Sequence, residues 1–525
     1  MFLSLSDEGE SMGQIFLCRK TCRLGKESVY LHHGLSALSS MAYLDQVLEK
    51  TRAFVEAKPK TERKSYGQFF TTGSSAQFMC SMLDVDLSKK SLSVLDTGAG
   101  TGILTVALVD HLINMGYEGM IHVTCYENDP KVIPVLSDNL SRVAAGVPNF
   151  EYKIINDNFI TSEPFGGFFQ KEEVYDVVIG NPPYKKIAAD SAEAMHMKEV
   201  CYGAPNLYFL FMAMAVQKLK GNCELVYIIP RSWTSGAYFE RFRKWLFARV
   251  TIEQIHLFGS RDKVFNEESV LQETMIIKVR KTTKKPATIK MTFSNTSDFS
   301  DVTSIDVDYD TIVAKNSYVY LVTNKEEIAC LDALKSLNCT LISDGLRMKT
   351  GIIVDFRTKD VLRNDATDPN TYPLLYSQHI KDGRIVWPVG KENEYICTSR
   401  MGYLQENNNY VLVKRFTAKE EPRRLQCGIY LKKDHPDYKY ISTQNKVNYI
   451  LCDGEDETLG VYCLLNSSIY DLYYRILNGS TQVNSTEINN MPIPDKKAIV
   501  EMGRELRNRD LTTESCDKIV NAWIN

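Results

Sequence analysis

Residues 175–184 read YDVVIGNPPY, a run that predicts a buried strand followed by a rigid polar turn. The three contiguous β-branched residues 177–179 are typical of a strand that is covered on both faces. Gly180 lets the backbone pass close to another group. Two prolines follow Asn181, and because they fix φ and remove two amide donors, the neighbouring acceptors are held in one geometry.

This turn suits the binding of a planar –NH2 group. The Asn181 side-chain oxygen and the Pro182 carbonyl can each accept one N–H, and Tyr184 can stack on the ring that carries the amine. The exocyclic amine of adenine is a poor nucleophile because its lone pair is delocalised into the ring. Two acceptors would favour a more tetrahedral nitrogen and direct that lone pair at an electrophile. The alternative is a strand-ending Asn-Pro-Pro turn without chemistry.

A second pattern lies upstream, where residues 92–102 read LSVLDTGAGTG and residues 103–112 are helical in pattern. Its glycines allow close approach of the backbone to a ligand, but their spacing is neither the dinucleotide fingerprint nor a phosphate-binding P-loop. Asp96, Glu127 and Asp157 end three successive predicted strands. A carboxylate at the second strand end is where such folds hold a ribose diol, and the third can accept from an adenine amino group.

In chain order, GQFFTTG at residues 67–73, DTGAGTG at residues 96–102, the acids Glu127 and Asp157, and NPPY at residues 181–184 resemble a known family. These motifs are similar to those of the S-adenosylmethionine-dependent DNA adenine-N6 methyltransferases of the gamma class. This class contains the modification enzymes of restriction systems, such as the TaqI-like and Eco57I-like enzymes. Its Phe-Thr motif precedes the glycine motif, and its DNA-recognition domain is C-terminal; both hold here. The similarity spans most of residues 65–495.

The resemblance implies S-adenosyl-L-methionine as the cofactor and a role for each motif. The implied cofactor-binding residues are Phe70, Thr71, Thr72, Asp96, Gly98, Gly100, Glu127, Asn128, Asp157, Phe159 and Asn181. The residues implied to meet the target base are Asn181, Pro182, Pro183, Tyr184 and, as the aromatic on the second face of the base, Phe265. A core phenylalanine at a strand start is the alternative for Phe265. Thr72 departs from the family pattern, which often has proline there.

The predicted fold is α/β, with a Rossmann-like, mostly parallel methyltransferase sheet that has helices on both faces, plus a C-terminal mixed α/β target-recognition domain. A chain of 525 residues is too long for one ordinary domain. We expect an N-terminal helical arm over residues 1–60, the catalytic domain over 61–320 and the target-recognition domain over 325–525. The last of these ends in a single helix predicted over 498–523.

Two C-terminal passages predict contact with double-stranded DNA. Residues 414–424 carry five cations against two acids, and such residues bind phosphates, while arginine can also read guanine. A solvated charged face is the alternative. Residues 465–494 resemble the closing segment of target-recognition domains, with a helix predicted over 469–477 that Asn478 and Gly479 end and polar residues after it that face outward. The candidate DNA-binding residues are Lys414, Arg415, Arg423, Arg424, Thr481, Gln482 and Asn484.

Composition restricts the remaining partners. The net charge of −3 gives no global attraction to nucleic acid, so a DNA surface must be local. No apolar run reaches the ~18 residues of a membrane span, and no secretory signal is evident. Thirteen scattered cysteines indicate reduced thiols of a cytoplasmic protein. The family resemblance implies a bacterial or archaeal cell, in which the protein would associate with the nucleoid. Cys18 and Cys22, with His32 and His33, lack a second correctly spaced pair, so no metal site is predicted.

Three readings of the function follow. The first is a site-specific adenine methyltransferase, the modification arm of a restriction–modification system, whose cognate endonuclease, if one exists, would be a separate protein. The second is a protein-glutamine or ribosomal-RNA methyltransferase, which resembles only the first half of such a chain. The third is a DNA-binding specificity subunit that reads sequence for another catalyst. The complete set of cofactor motifs argues against this third function. Whether the protein is a monomer or a dimer is left open.

Overall fold

The computed structural model describes residues 43–57, 71–166, 174–259, 274–418, 420–478 and 481–524. All of them belong to one compact unit. None of the helices in these ranges is long and apolar enough to cross a membrane.

A nine-stranded sheet organises the first three hundred residues. Its strands are β1 (Ser91–Asp96), β2 (Met120–Tyr126), β3 (Phe150–Ile155), β4 (Tyr175–Gly180), β5 (Leu219–Pro230), β6 (Thr251–Phe258), β7 (Thr274–Arg280), β8 (Thr288–Ser294) and β9 (Thr303–Asp308). They lie in the order β3-β2-β1-β4-β5-β7-β6-β8-β9. Five of the eight neighbouring pairs are parallel. The predicted Rossmann-like, mostly parallel sheet is confirmed.

Helices cover both faces of this sheet. They are α1 (Tyr43–Ala57), α2 (Gly73–Ser81), α3 (Ile103–Asn114), α4 (Ile133–Gly146), α5 (Ala192–His196), α6 (Leu207–Lys218), α7 (Glu240–Phe247) and α8 (Tyr309–Ile312). Val177 and Ile179 pack with α1 to α4 on one face, whereas Val178 packs with α6 and α7 on the other. Side chains alternate across a strand, so three β-branched residues in a row fill both cores at once.

The C-terminal part builds two smaller sheets. Their strands are β10 (Met348–Thr350), β11 (Leu362–Arg363), β12 (Thr371–Leu375), β13 (Ile380–Lys381), β14 (Arg384–Ile385), β15 (Tyr395–Cys397), β16 (Gln405–Glu406), β17 (Asn409–Lys414), β18 (Cys427–Tyr430), β19 (Tyr440–Thr443) and β20 (Val447–Cys452). One sheet has the order β10-β20-β17-β18-β14-β13, and the other β11-β15-β12-β19-β16. The mixed α/β character predicted for this part is therefore present.

Six helices complete the C-terminal part. They are α9 (Lys325–Leu334), α10 (Glu455–Asn466), α11 (Ser468–Leu477), α12 (Ser485–Asn489), α13 (Lys496–Leu506) and α14 (Thr513–Ile524). The expectation of one terminal helix over 498–523 is wrong, because residues 507–512 interrupt the helix between α13 and α14. Thr512 accepts a hydrogen bond from the Ser515 backbone N–H at 3.2 Å and so restarts the helix in the manner of an N-cap.

Candidate active site

The two motifs meet at the point where the strand order reverses. β1 lies between β2 and β4, and Asp96 is in register with Ile179. The glycine turn and the Asn181 turn therefore leave neighbouring parallel strands side by side. In open α/β sheets, ligands bind outside the carboxyl ends of the strands at such a switch point.

Glu127 shapes the glycine turn from the next strand end. Its carboxylate accepts hydrogen bonds from the backbone N–H groups of Gly100 at 2.9 Å, Asn128 at 2.9 Å and Asp129 at 2.8 Å. Burial raises the pKa of Glu127, and these donors oppose that shift. Gly102 begins α3 with φ of +91°, a conformation that favours glycine. The turn is thus a fixed backbone surface with one acidic side chain at its edge.

A cavity of about 320 Å³ opens at these strand ends. The predicted cofactor-binding residues that line it are Gly98, Gly100, Glu127, Asn128, Asp157, Phe159 and Asn181. Phe159 is buried, and its ring lies 5.0 Å from that of Tyr126 and 5.3 Å from that of Phe211. Residues from four strand ends that are far apart in sequence therefore share one concave surface, which has the size of a small-molecule site.

Asp96 lies under this surface and is fully buried. Its Oδ2 accepts a hydrogen bond from Thr105 Oγ1 at 2.8 Å, whereas no described residue donates a well-formed hydrogen bond to Oδ1. Burial raises the pKa of Asp96 to about 7. A buried carboxylate oxygen in this state is stabilised by a nearby cation or N–H donor.

The Asn181 side chain is held from two directions. Its Nδ2 donates to Thr71 Oγ1 at 3.1 Å, and its Oδ1 accepts from the Tyr184 hydroxyl at 2.9 Å. The same hydroxyl lies 3.0 Å from the Ile228 carbonyl oxygen, so its one proton has two acceptors. Burial raises the pKa of Tyr184 well above its usual range, which keeps the hydroxyl a donor. Among the described residues, none donates a hydrogen bond to the Pro182 carbonyl.

Gly180 has the close neighbours that the sequence predicts. A Cβ there would lie 2.7 Å from Thr97 Oγ1 and 2.7 Å from Tyr227 Cε1, which is closer than side chains approach. Thr97 and Tyr227 are themselves joined by a hydroxyl–hydroxyl hydrogen bond of 2.5 Å. Glycine at this position therefore lets the Asn181 turn pack directly against the strand beside it.

The other predicted site residues are placed less directly. Thr71 contacts Asn181, as described above, and Thr72 is the N-cap of α2, where it accepts from the Ser75 N–H at 3.2 Å. Phe70 and Phe265 lie outside the described residues. Tyr184 is 9 % exposed, with its ring edge-on to Tyr208 at 6.4 Å. A stacking role for Tyr184 and Phe265 stays a prediction.

Comparison with known proteins identifies the family of this chain. The Eco57I restriction-modification methylase model matches residues 85–265. The type II methyltransferase M.PstI of Providencia stuartii is 32 % identical to the chain over 481 residues, which cover 88 % of this chain and 93 % of that protein. The type II methyltransferase M.BsuBI of Bacillus subtilis is 31 % identical over 481 residues, which cover 88 % of this chain and 94 % of that protein. The chain belongs to the type II methyltransferases of restriction–modification systems.

A solved structure agrees with the fold of this type II methyltransferase. The type IIL restriction–modification enzyme MmeI, determined in complex with DNA, aligns with a TM-score of 0.50 at 11 % identity, over 91 % of this chain and 75 % of that one. The cofactor of the family fold is S-adenosyl-L-methionine. The residues of the smaller cavity fit this cofactor, because a cavity lined by the acids Glu127 and Asp157 and by the rings of Phe159 and Phe211 suits a cationic nucleoside.

A second cavity of about 850 Å³ in the methyltransferase lies between the loop after β5 and the C-terminal part; we call it the arginine cavity. Its described charged lining comprises Arg231, Arg415, Arg424, Arg475 and Glu487. Thr481, Gln482 and Asn484 line it as well. The lining therefore carries an excess of positive charge, although the net charge of the whole chain is −3. A local positive surface of this kind is what DNA binding requires in a chain with that net charge.

Backbone pairing brings together the two passages that were predicted to contact DNA. The Thr417 N–H donates to the Thr481 carbonyl at 3.1 Å, and the Val483 N–H donates to the Arg415 carbonyl at 2.7 Å. Phe416 and Gln482 face each other across this bridge. Residues that are more than sixty positions apart in sequence therefore form one short two-stranded edge of the arginine cavity.

The four predicted DNA-binding cations form two pairs, which differ in the groups that they bind. Arg424 is 1 % exposed and donates to Thr417 Oγ1 at 3.2 Å, and Arg423 donates to the carbonyls of Leu465 at 3.3 Å and Ser467 at 3.1 Å. These two guanidinium groups brace the protein itself. Lys414 and Arg415 are half-buried. Lys414 donates to Gln426 Oε1 at 2.7 Å, and Arg415 donates to the Asn445 carbonyl at 2.9 Å.

Three carboxylates converge at the opposite part of the large sheet, as metal ligands can. These are Asp84, Glu224 and Glu253. Lys278 lies among them, with its Nζ 2.5, 3.1 and 3.3 Å from their oxygens, and Arg280 also pairs with all three. The cluster is thus a charge network. The cysteines and histidines at 18, 22, 32 and 33 lie outside the described residues, so the expected absence of a metal stays a prediction.

No sequence motif marks several of the residues that line the smaller cavity, the one of about 320 Å³. Asn158 directly follows Asp157, and its Nδ2 donates to Glu193 Oε1 at 2.8 Å. Glu193 and Phe211 come from α5 and α6, which no motif marks. Only the position of Asn158 beside a strand-ending acid offered a clue, because the helices reach the cavity through tertiary packing alone.

Proposed function

We propose that this DNA methyltransferase transfers a methyl group to the N6 amine of an adenine that is extruded from a specific sequence of double-stranded DNA. The observation that carries this proposal is the position of Asn181, which lines the cofactor cavity while its side chain is fixed by Thr71 and Tyr184. A rigid amide oxygen beside a cofactor cavity can hold an amine within reach of a methyl donor.

In this mechanism, the chain's residues bind and orient rather than exchange protons. S-adenosyl-L-methionine supplies, when bound, a methyl group on a positively charged sulfur. Glu127 would bind the ribose hydroxyls, and Asp157 with Phe159 would bind the adenine ring. Asp96 would stabilise the cationic methionine part, because burial and an unpartnered oxygen favour a nearby positive charge.

The target amine would meet two acceptors. Asn181 Oδ1 takes one N–H and the Pro182 carbonyl takes the other, while the Tyr184 hydroxyl turns to the Ile228 carbonyl that already lies 3.0 Å away. The amine becomes acidic only after alkylation, so attack needs no general base. Tyr184, with Phe265 as the second aromatic, would stack on the base and recover part of the few kcal/mol that base extrusion costs.

The division of the chain is part of the proposal. Residues 61–320 would be the catalytic domain and residues 325–525 the target-recognition domain, with DNA held at the arginine cavity between them. The strands of the large sheet all lie within the first range, and those of the two smaller sheets within the second. A cognate endonuclease would act as a separate protein.

The direct test is methyl transfer with labelled S-adenosyl-L-methionine to DNA, RNA and protein in separate reactions, followed by nucleoside analysis of the product. N6-methyladenine in duplex DNA is the expected result. Label in ribosomal RNA or in a glutamine amide would favour the rival methyltransferases, and transfer to none of the three would refute the proposal.

DNA binding at the arginine cavity gives a prediction of its own. Replacing Lys414 and Arg415 together with alanine should weaken duplex binding and reduce the salt slope of log K by about 1 to 2, since each phosphate contact contributes about 0.9. Fluorescence anisotropy across a salt series measures both quantities. The matched control is Lys432→Ala with Lys433→Ala, an exposed pair beyond the other end of β17. An unchanged slope in the first variant would move the DNA surface elsewhere.

A further inference from the structure

Glu487 is a buried carboxylate in the wall of the arginine cavity, and its oxygens bind side chains from both sides of that cavity. Oε1 accepts from Ser235 Oγ at 3.3 Å, on the loop that follows β5. Oε2 accepts from the Tyr474 hydroxyl at 3.1 Å and from Asn478 Nδ2, beside the recognition passage at 478–484. Glu487 is 2 % exposed, so these contacts are made without competition from solvent.

The loop at residues 231–236 is also held from the side of the large sheet. The buried Arg243 donates to the carbonyls of Trp233 at 3.0 Å, Ser235 at 2.7 Å and Gly236 at 3.0 Å. Arg243, on α7, and Glu487, on α12, therefore fix the position of the loop at residues 231–236 together.

The strand that leads into this loop contacts the Asn181 turn. Ile228, on β5, lies seven residues before Ser235, and its carbonyl is the second acceptor of the Tyr184 hydroxyl. Tyr184 in turn donates to Asn181 Oδ1. The path from Glu487 to Asn181 thus consists of the Glu487–Ser235 hydrogen bond, seven residues of chain and the two contacts of the Tyr184 hydroxyl.

We propose that Glu487 is a positioning residue that couples the reading of DNA sequence to the placement of the Asn181 turn, an inference that rests on the proposed function. A buried carboxylate makes strong hydrogen bonds and is costly to leave unpaired, so it keeps donors from both sides in place. Correctly bound DNA contacts residues 481–484, and the Glu487–Ser235 bond then fixes the end of β5. A mismatched sequence leaves this bond weakened and the turn misplaced.

Ser235→Ala tests the link, because it removes one hydroxyl and leaves the bonds of Tyr474 and Asn478 to Glu487 intact. The probes are a duplex with the sequence found methylated in DNA from cells that make the wild-type protein, and duplexes with one altered base pair. We expect kcat on the full site to fall about tenfold, as loss of a hydrogen bond to a charged group predicts. The Kd values for DNA and cofactor stay unchanged, and slow methylation of altered sites is unaffected, so discrimination falls by the same factor.

Two further variants separate coupling from general loosening. Glu487→Gln keeps the shape, changes the acceptor, and should reduce discrimination as Ser235→Ala does. Tyr320→Phe removes another buried hydroxyl link between the same parts of the chain, the 2.5 Å contact with the Tyr473 hydroxyl. This contact does not pass through Glu487, and the substitution leaves the backbone hydrogen bond from the Val319 N–H to the Thr234 carbonyl in place. Tyr320→Phe should lower the unfolding temperature without changing discrimination.

The outcomes are distinct. Wild-type turnover and discrimination in Ser235→Ala would overturn the coupling while the proposed function stands. An equal loss in Tyr320→Phe would overturn it too, because the loss would then follow from destabilisation. No methylation of DNA by the wild-type protein would refute the proposed function and this inference together.

Discussion

Asn181→Ala should lower the rate of methyl transfer by about 100- to 1,000-fold, the range measured when one preorganised hydrogen-bonding group is lost from an active site. The reason is that the variant lacks the acceptor oxygen that would orient the amine, while the cofactor cavity keeps its glycine turn and acids. Single-turnover kinetics with labelled cofactor measure the rate, and calorimetry measures the cofactor Kd, which is expected to stay unchanged.

The matched control for this variant is Asn149→Ala. Asn149 is half-buried and donates one side-chain hydrogen bond, to the Gly119 carbonyl at 2.8 Å, but lies at the amino end of β3, away from the cavity. Its replacement should leave the rate of methyl transfer unchanged. Near wild-type turnover of Asn181→Ala would refute the role assigned to the amide.

Glu127→Ala should weaken cofactor binding by about 10- to 100-fold, because hydrogen bonds to a charged group contribute about 1.5–3 kcal/mol. The substitution removes the proposed ribose ligand and also leaves the N–H groups of Gly100, Asn128 and Asp129 without their acceptor. Equilibrium binding of S-adenosyl-L-methionine or its demethylated product measures the effect.

Glu118→Ala makes the same charge change at the amino end of β2, where the side chain is exposed. Cofactor affinity in this control should equal that of the wild-type protein. If Glu127→Ala binds the cofactor as tightly as Glu118→Ala does, the ribose is held elsewhere and the glycine turn keeps its shape without the carboxylate.

Local patterns were sufficient to predict the strands and turns that carry the two motifs. β1, β4 and the turns after them follow from contiguous β-branched residues, glycines and prolines, all of which act within a few positions. The strands β8 and β9 were not foreseen in the polar stretch at residues 281–310, because they are stabilised by pairing with β6 and with each other at the edge of the sheet.

Long-range contacts determine what the sequence did not reveal. A basic run shows where cations occur but not that Arg423 and Arg424 turn inward to bind carbonyl and hydroxyl oxygens. Likewise, the motif at residues 181–184 predicts acceptors but not that the Tyr184 hydroxyl shares its proton between Asn181 and Ile228. Ile228 is 44 residues from Tyr184, and Leu465 is 42 residues from Arg423, so only tertiary packing brings these pairs together.

Under the proposed role of residues 415–417 and 481–483 in DNA recognition, the bridge between them limits how new sequence specificities can be engineered into this enzyme. The two passages are joined by backbone hydrogen bonds, such as the 2.7 Å contact from the Val483 N–H to the Arg415 carbonyl. A chimera that takes only one passage from a relative would have to form these hydrogen bonds with a segment of different length. Both passages, with the intervening sheet, therefore form the smallest exchangeable cassette.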